Sequence, residues 1–242
     1  ELFIPQIATQ VYVQLNKTML GVMVNETSSG YYQYSDNLVK LILALVTATG
    51  TVMLPHVANA VSHGDMHKVN NMLYKSFDFV SAVSYPLMFG LAAVSSTLAT
   101  KYYGPGYDEV GPAMMIESIV ILIIAWSNVL GVQYLLPIHK QRAFTFSVTF
   151  GAVINLILNV PLIKVWGLNG AMWSTVLSEV AVTLYQLWAV HGLLNISKLF
   201  SSTWKYGLSG FCMFVIVFWM NQHLSNTWIL LGLEVIVGIL IT

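Results

Sequence analysis

Gln6, Gln10, Gln14 and Lys17 lie in QIATQVYVQLNKTMLG among apolar neighbours. On an α-helix they fall within about 80° of arc, and Gly21 joins the same stripe. Amides and an ammonium aligned this way can bind a hydroxylated or anionic ligand, or hydrogen-bond to neighbouring helices. Thr175, Glu179, Thr183 and Gln186 repeat the four, four, three spacing, and Ser147, Gly151, Asn155 and Asn159 recur at every fourth residue. Lys40, Ala44, Thr47, Thr51 and Pro55 mark one small and polar side of another helix; Asp78 accompanies Tyr85, and Glu117 accompanies Asn128. Several helices thus turn a wet face toward something shared. An ionisable group at mid-membrane costs from about 3 to well over 10 kcal/mol depending on the measure, so it should meet a partner or a water-filled cavity. Lys17 and Glu179 are the deepest candidates; Glu117 and Asp78 lie nearer span ends, where a structural role is the competing reading. For Lys17 and Lys40 the competing reading is snorkelling to the outer interface.

His139, Lys140, Gln141 and Arg142 form a basic turn that sets topology, or in which Arg142 contacts an anionic head group or pyrophosphate. His56, His63 and His67 with Asp65 offer metal-ligand types, but a solvated connection explains them and no metal is expected. Neither a phosphate-cradling glycine loop nor a nucleophile elbow is present in the sequence. No cofactor, no nucleic-acid partner and no enzymatic activity are expected.

The elements that must hold these residues are transmembrane helices. Hydrophobic residues are 57% of 242 and charged residues 8%, too few to cover a soluble domain. Eight apolar stretches have about the 20 residues that a span needs: 2–24, 38–61, 73–99, 110–137, 143–163, 171–190, 206–220 and 228 onward. With the first helix running outward, Lys68, Lys75, Lys140, Arg142, Lys198 and Lys205 lie inside, against Lys101 and Lys164 outside. This orientation puts NETSSGYYQYSDN, TKYYGPGYDE and NQHLSNT on the far side, with Tyr31, Tyr32, Tyr34, Tyr102, Tyr103 and Tyr107 as an interfacial belt. Pro55, Pro86, Pro137 and Pro161 interrupt spans, as helices of transporters allow. The sole cysteine, Cys212, gives no disulfide framework. Opening on Glu1 with no signal peptide and closing inside the apolar run EVIVGILIT, the chain is expected to be a piece of something longer.

The motifs FIPQIATQVYVQLNKTMLG, GYYQYSDNLVKL, GTVMLPHVANAVSHGD and KYYGPGYDEVGPAMMI occur in that order. They are followed by LGVQYLLPIHKQRAFTFSVTFGAVINLILNVPLIKVWGLNGAMWSTVLSEVAVTLYQLW. Together they resemble the second half of the Wzx-like oligosaccharide flippases, polysaccharide biosynthesis proteins of the multidrug/oligosaccharidyl-lipid/polysaccharide exporter superfamily. The resemblance runs from Glu1 to about Lys205. Two departures stand out: Asn16 where the family often has aspartate beside the lysine, and His56 where arginine commonly follows the proline.

The resemblance implies an all-α bundle with two six-helix lobes around a central cavity. Residues 1–192 would be the second lobe and 193–242 two appended helices, the last one truncated; the first lobe would be missing. The implied function is ion-coupled alternating-access transport of polyprenyl-pyrophosphate-linked oligosaccharide across a bacterial cytoplasmic membrane. Substrate contacts would come from Gln6, Gln10, Gln14, Lys17, Lys40, Arg142, Asn155, Asn159 and Glu179, and ion coupling from Glu179, Glu117 and Asp78. Membrane lipids, and polysaccharide polymerases or glycosyltransferases, are the further partners implied. The rival readings are a multidrug cation antiporter of the same superfamily, an integral-membrane glycosyltransferase or polymerase, and a purely structural membrane subunit.

Overall fold

The computed structural model describes residues 3–223, so the eighth expected span, from 228 onward, lies outside the described residues. Helix α1 (Phe3–Met23) is followed after a two-residue turn by α2 (Glu26–Ser62), whose start is fixed by Asn25 Oδ1 accepting the Ser28 N–H at 2.7 Å. The sequence reading put residues 25–37 in an outer connection; they are instead the first turns of α2. The cap and the buried Ser28, Tyr32, Ser35 and Asp36 explain why: this stretch packs on neighbours and is not a solvated loop. Tyr32 is accordingly 1% exposed and does not join the interfacial belt. With 37 residues α2 is about 55 Å long, well beyond a hydrocarbon core of about 30 Å.

Helix α3 (Met66–Tyr103), capped by Asp65, runs back. Helices α4 (Val110–Glu117) and α5 (Ile119–Ser127) and a π-helical segment (Asn128–Leu135) form one irregular pass. The wider π turns bring Gln133 against Asn128 Oδ1 at 3.3 Å and let it accept from Ser76 at 2.6 Å. Val46, Phe77, Ile121 and Leu130 from these helices share one apolar core.

Helix α6 (Gln141–Val190) has 50 residues but departs from helical geometry at Gly167, with φ 54° and ψ −125°. The chain reverses there. Gln186 bonds Ser147, Asn155 bonds Ser174 and Ser178, and Leu162 lies on Gly170, pairings that close symmetrically on the break. A Cβ at Gly170 would sit 2.0 Å from the Leu162 carbonyl oxygen, so only glycine lets the arms meet this closely. The expected fifth and sixth spans are thus the two arms of a hairpin with almost no loop. After a short α7 (Ile196–Leu199), α8 (Thr203–His223) lies along α3, where Met213 and Val217 meet Ala93. Among the described residues, five helical units are long and apolar enough to cross a membrane, and one of them is this hairpin. Large apolar side chains such as Phe146, Ile157, Leu184 and Trp188 remain exposed, as lipid-facing surfaces require. This is an all-helical, multi-pass membrane protein.

Candidate functional site

Two kinds of polar stripe emerge. The first is open. On α1, Gln14 and Thr18 are exposed and Lys17 is partly so; on α2, Asn37, Lys40, Ala44, Ala48, Thr51, Pro55 and His56 are exposed. The helices are antiparallel neighbours, tied where Ser29 Oγ donates to the Lys17 carbonyl at 2.9 Å. Gln33 Nε2 donates to Asn37 Oδ1 at 2.6 Å, extending the polar surface along α2. The side chains of Gln6 and Gln10 lie outside the described residues.

Lys40 joins this face to the interior. Its ammonium donates to Asp36 Oδ2 at 2.8 Å, with Lys40 half exposed and Asp36 buried. Asp36 lies near Glu117 of α4, whose Oε2 accepts from Ser35 Oγ at 2.6 Å. Asp36 escaped the sequence reading although Asp36 and Lys40 have the i, i+4 spacing of a helical ion pair. The signal was hidden because the segment was read as a connection.

The second kind is sealed. Asn155 and Asn159 are fully buried, as is Asn16. Asn16 Nδ2 donates to Tyr32 Oη at 2.9 Å and Thr175 Oγ1 at 3.1 Å, while Asn159 Nδ2 donates to Asn16 Oδ1 and, at 3.0 Å, to Asn155 Oδ1. Asn155 Nδ2 completes the chain on Ser174 Oγ at 3.2 Å. These amides therefore bind α1, α2 and the hairpin arms together and do not face the open surface. The departure noted at Asn16 falls at the centre of this network; a carboxylate could accept from Asn159 but could not donate to Tyr32 and Thr175. The Thr175, Glu179, Thr183, Gln186 stripe also turns inward, with Thr183 Oγ1 donating to the Ile123 carbonyl at 3.2 Å and Gln186 Nε2 to Ser147 Oγ at 3.1 Å. Glu179 lines a half-open cavity of about 190 Å³ with Ser127, Asn128 and Ser178.

Asp78 lies apart from all of these groups: Tyr206 Oη of α8 donates to its Oδ2 at 3.1 Å, clamping α8 onto α3. Arg142 is exposed at the start of α6, beside His139, whose φ of 61° turns the chain sharply. Among the described residues no group of three or more His, Cys, Asp or Glu is placed to hold a metal ion.

Residues 1–112 match the family described as Polysaccharide biosynthesis protein. The "Lipid II flippase MurJ" of Bacillus subtilis (strain 168) is 27% identical over 154 residues, 63% of this chain and 28% of the flippase. Over part of its length the chain is therefore similar to a flippase. A Haloferax volcanii protein named "Probable flippase AglR" is 27% identical over 185 residues, 75% of this chain and 38% of its own. The solved structure of "Lipid II flippase MurJ, inward closed conformation" superposes with a TM-score of 0.84 at 17% identity, over 99% of this chain and 50% of that one. The chain thus has the fold of half of that flippase, and it spans less than half the length of the curated relatives it matches here. The expected resemblance to polysaccharide biosynthesis proteins is matched over residues 1–112, and the expected fold by the superposition.

Proposed function

We propose that this chain is the second lobe of a flippase that carries polyprenyl-pyrophosphate-linked oligosaccharide across a bacterial cytoplasmic membrane by ion-coupled alternating access. The observation that carries this reading is the open α1–α2 face, where Gln14, Lys17, Thr18, Asn37 and Thr51 accompany a lysine anchored on a buried carboxyl pair. A saccharide crossing a bilayer needs replacement hydrogen bonds for its hydroxyls, and amides and hydroxyls on such a face supply them. Lys17 and Lys40 attract the anionic pyrophosphate, Arg142 meets it on the cytoplasmic side, and the polyprenyl tail stays in lipid. By their spacing in the sequence, Gln6 and Gln10 are further candidate contacts. Asp36 and Glu117 form the coupling pair, because an anion that draws Lys40 away from Asp36 changes how tightly the pair holds its ion. Glu179 supplies a second ionisable group at its cavity, and Asp78 is assigned to anchoring α8.

Residues 1–192 form the lobe and 193–242 the appended helices, with the opposite wall of the cavity supplied by the absent first lobe. Glycosyltransferases that build the repeat unit and a polymerase that consumes it act on either side of this step. Organic cations are disfavoured as cargo by two lysines on the open face. Deletion of the complete gene tests the reading. Lipid-linked repeat units should accumulate in the cytoplasmic leaflet while surface polysaccharide disappears; unchanged surface polysaccharide with no accumulation would refute it.

A further inference from the structure

A second polar cavity lies at the end of the lobe where α1 stops, α2 and α4 begin and the α6 hairpin turns. Its volume is about 630 Å³, within the range of about 300–1,000 Å³ typical of small-ligand sites. The lining combines the aromatic Tyr31 and Trp166 with Asn25, Thr27, Glu109 and Asn169. Tyr31 is held in place by two contacts: its hydroxyl donates to the Gly106 carbonyl at 2.8 Å, and its ring meets Tyr107 edge-on at 5.9 Å. Trp166 stands next to the Gly167 break and is 57% exposed, so its indole is available at the rim. Asn25 uses its Oδ1 to cap α2, which leaves its amide N–H groups as donors. Glu109 occupies the cap position of α4 without a side-chain capping bond, so its carboxylate remains an acceptor.

We propose that this cavity is a saccharide-binding site on the non-cytoplasmic side of the lobe. Donors and acceptors interleaved with flat aromatic surface suit the hydroxyl edges and C–H faces of a sugar ring. Among the described lining residues there is no basic side chain, and Glu109 repels an anion, so the pyrophosphate does not belong here. The placement outside the cytoplasm rests on the flippase reading and its orientation. In that frame the site receives the sugar end of the cargo after it has crossed, while the lipid linkage is still in the bilayer.

The test uses the full-length protein in lipid nanodiscs prepared without glycoside detergents, whose sugar heads would compete. The probe is the soluble oligosaccharide released by mild acid from the host's polyprenyl-pyrophosphate pool, followed by saturation-transfer NMR and tryptophan fluorescence. Binding to the wild type is expected. Trp166→Ala should weaken it about tenfold, Trp166→Phe should largely retain it, and Asn169→Ala should weaken it several-fold, the scale of single contacts at the centre of a site. No binding to the wild type, or equal binding by Trp166→Ala, would overturn the site. Gene deletion reads the flippase separately. Accumulated lipid-linked units without saccharide binding would remove this site and leave the flippase, whereas Trp166-dependent binding without accumulation would keep the site and remove the flippase.

Discussion

Replacing Asn16 by leucine tests whether the sealed amide network holds the lobe together. Asn16 donates to Tyr32 and Thr175 and accepts from Asn159, all within a site closed to solvent. Leucine preserves the volume and removes all three bonds. Some partners recover: Thr175 keeps its bond to the Ala171 carbonyl at 3.0 Å, and Tyr32 Oη and Thr175 Oγ1, 3.3 Å apart, can bond each other. Asn159 keeps one N–H on Asn155 and strands the other. An orphaned buried donor costs about 1–3 kcal/mol, and each unreplaced interhelical bond in a membrane about 0.6 kcal/mol. Asn16→Leu should therefore destabilise the full-length protein by about 2–3 kcal/mol in equilibrium unfolding from mixed micelles. The double variant Asn16→Leu/Asn159→Leu removes the stranded donor and should cost about 1 kcal/mol less than the sum of the singles. A loss below about 0.5 kcal/mol with strictly additive singles would refute the network's role.

Other variants probe further parts of the account. Lys40→Gln leaves Asp36 without its cation and should lower export about tenfold while Lys40→Arg retains most of it, measured as surface polysaccharide in a complemented deletion strain. Glu117→Gln keeps an acceptor for Ser35 but removes the negative charge beside Asp36; transport in vesicles should lose its dependence on the ion gradient without loss of folding. Gly170→Ala would press its Cβ on the Leu162 carbonyl and should destabilise the hairpin by about 3 kcal/mol, read as lost expression or lowered melting temperature. With Cys212 first replaced by serine, Thr18→Cys and Thr51→Cys should react with a water-soluble maleimide, whereas Trp188→Cys on the lipid side should not.

Hydropathy made the spans legible because a bilayer permits few alternatives to a helix. It was less able to place their ends: Asn25, a single capping residue, converts an apparent outer loop into the start of α2. Polar periodicity located the stripes correctly along each helix but not the direction they face. Asn155 and Gln186 sit on stripes that meet each other across the hairpin, a relation set by Gly167 and Gly170 and by packing between distant segments. Asp78 and Glu117 look alike in sequence, yet α8 claims the first and α2 the second. Asp36 became visible only when α2 was seen to begin at Glu26.

Transport by the reconstituted full-length protein tests the central claim most directly. Proteoliposomes are loaded with polyprenyl-pyrophosphate-linked oligosaccharide, and the saccharide exposed at the outer leaflet is followed with an impermeant oxidant after an ion gradient is imposed. The account predicts gradient-dependent movement of the saccharide between leaflets, abolished by neutralising Lys17 and Lys40 together. No movement by protein that is folded and correctly inserted, or movement unaffected by the double neutralisation, would contradict it.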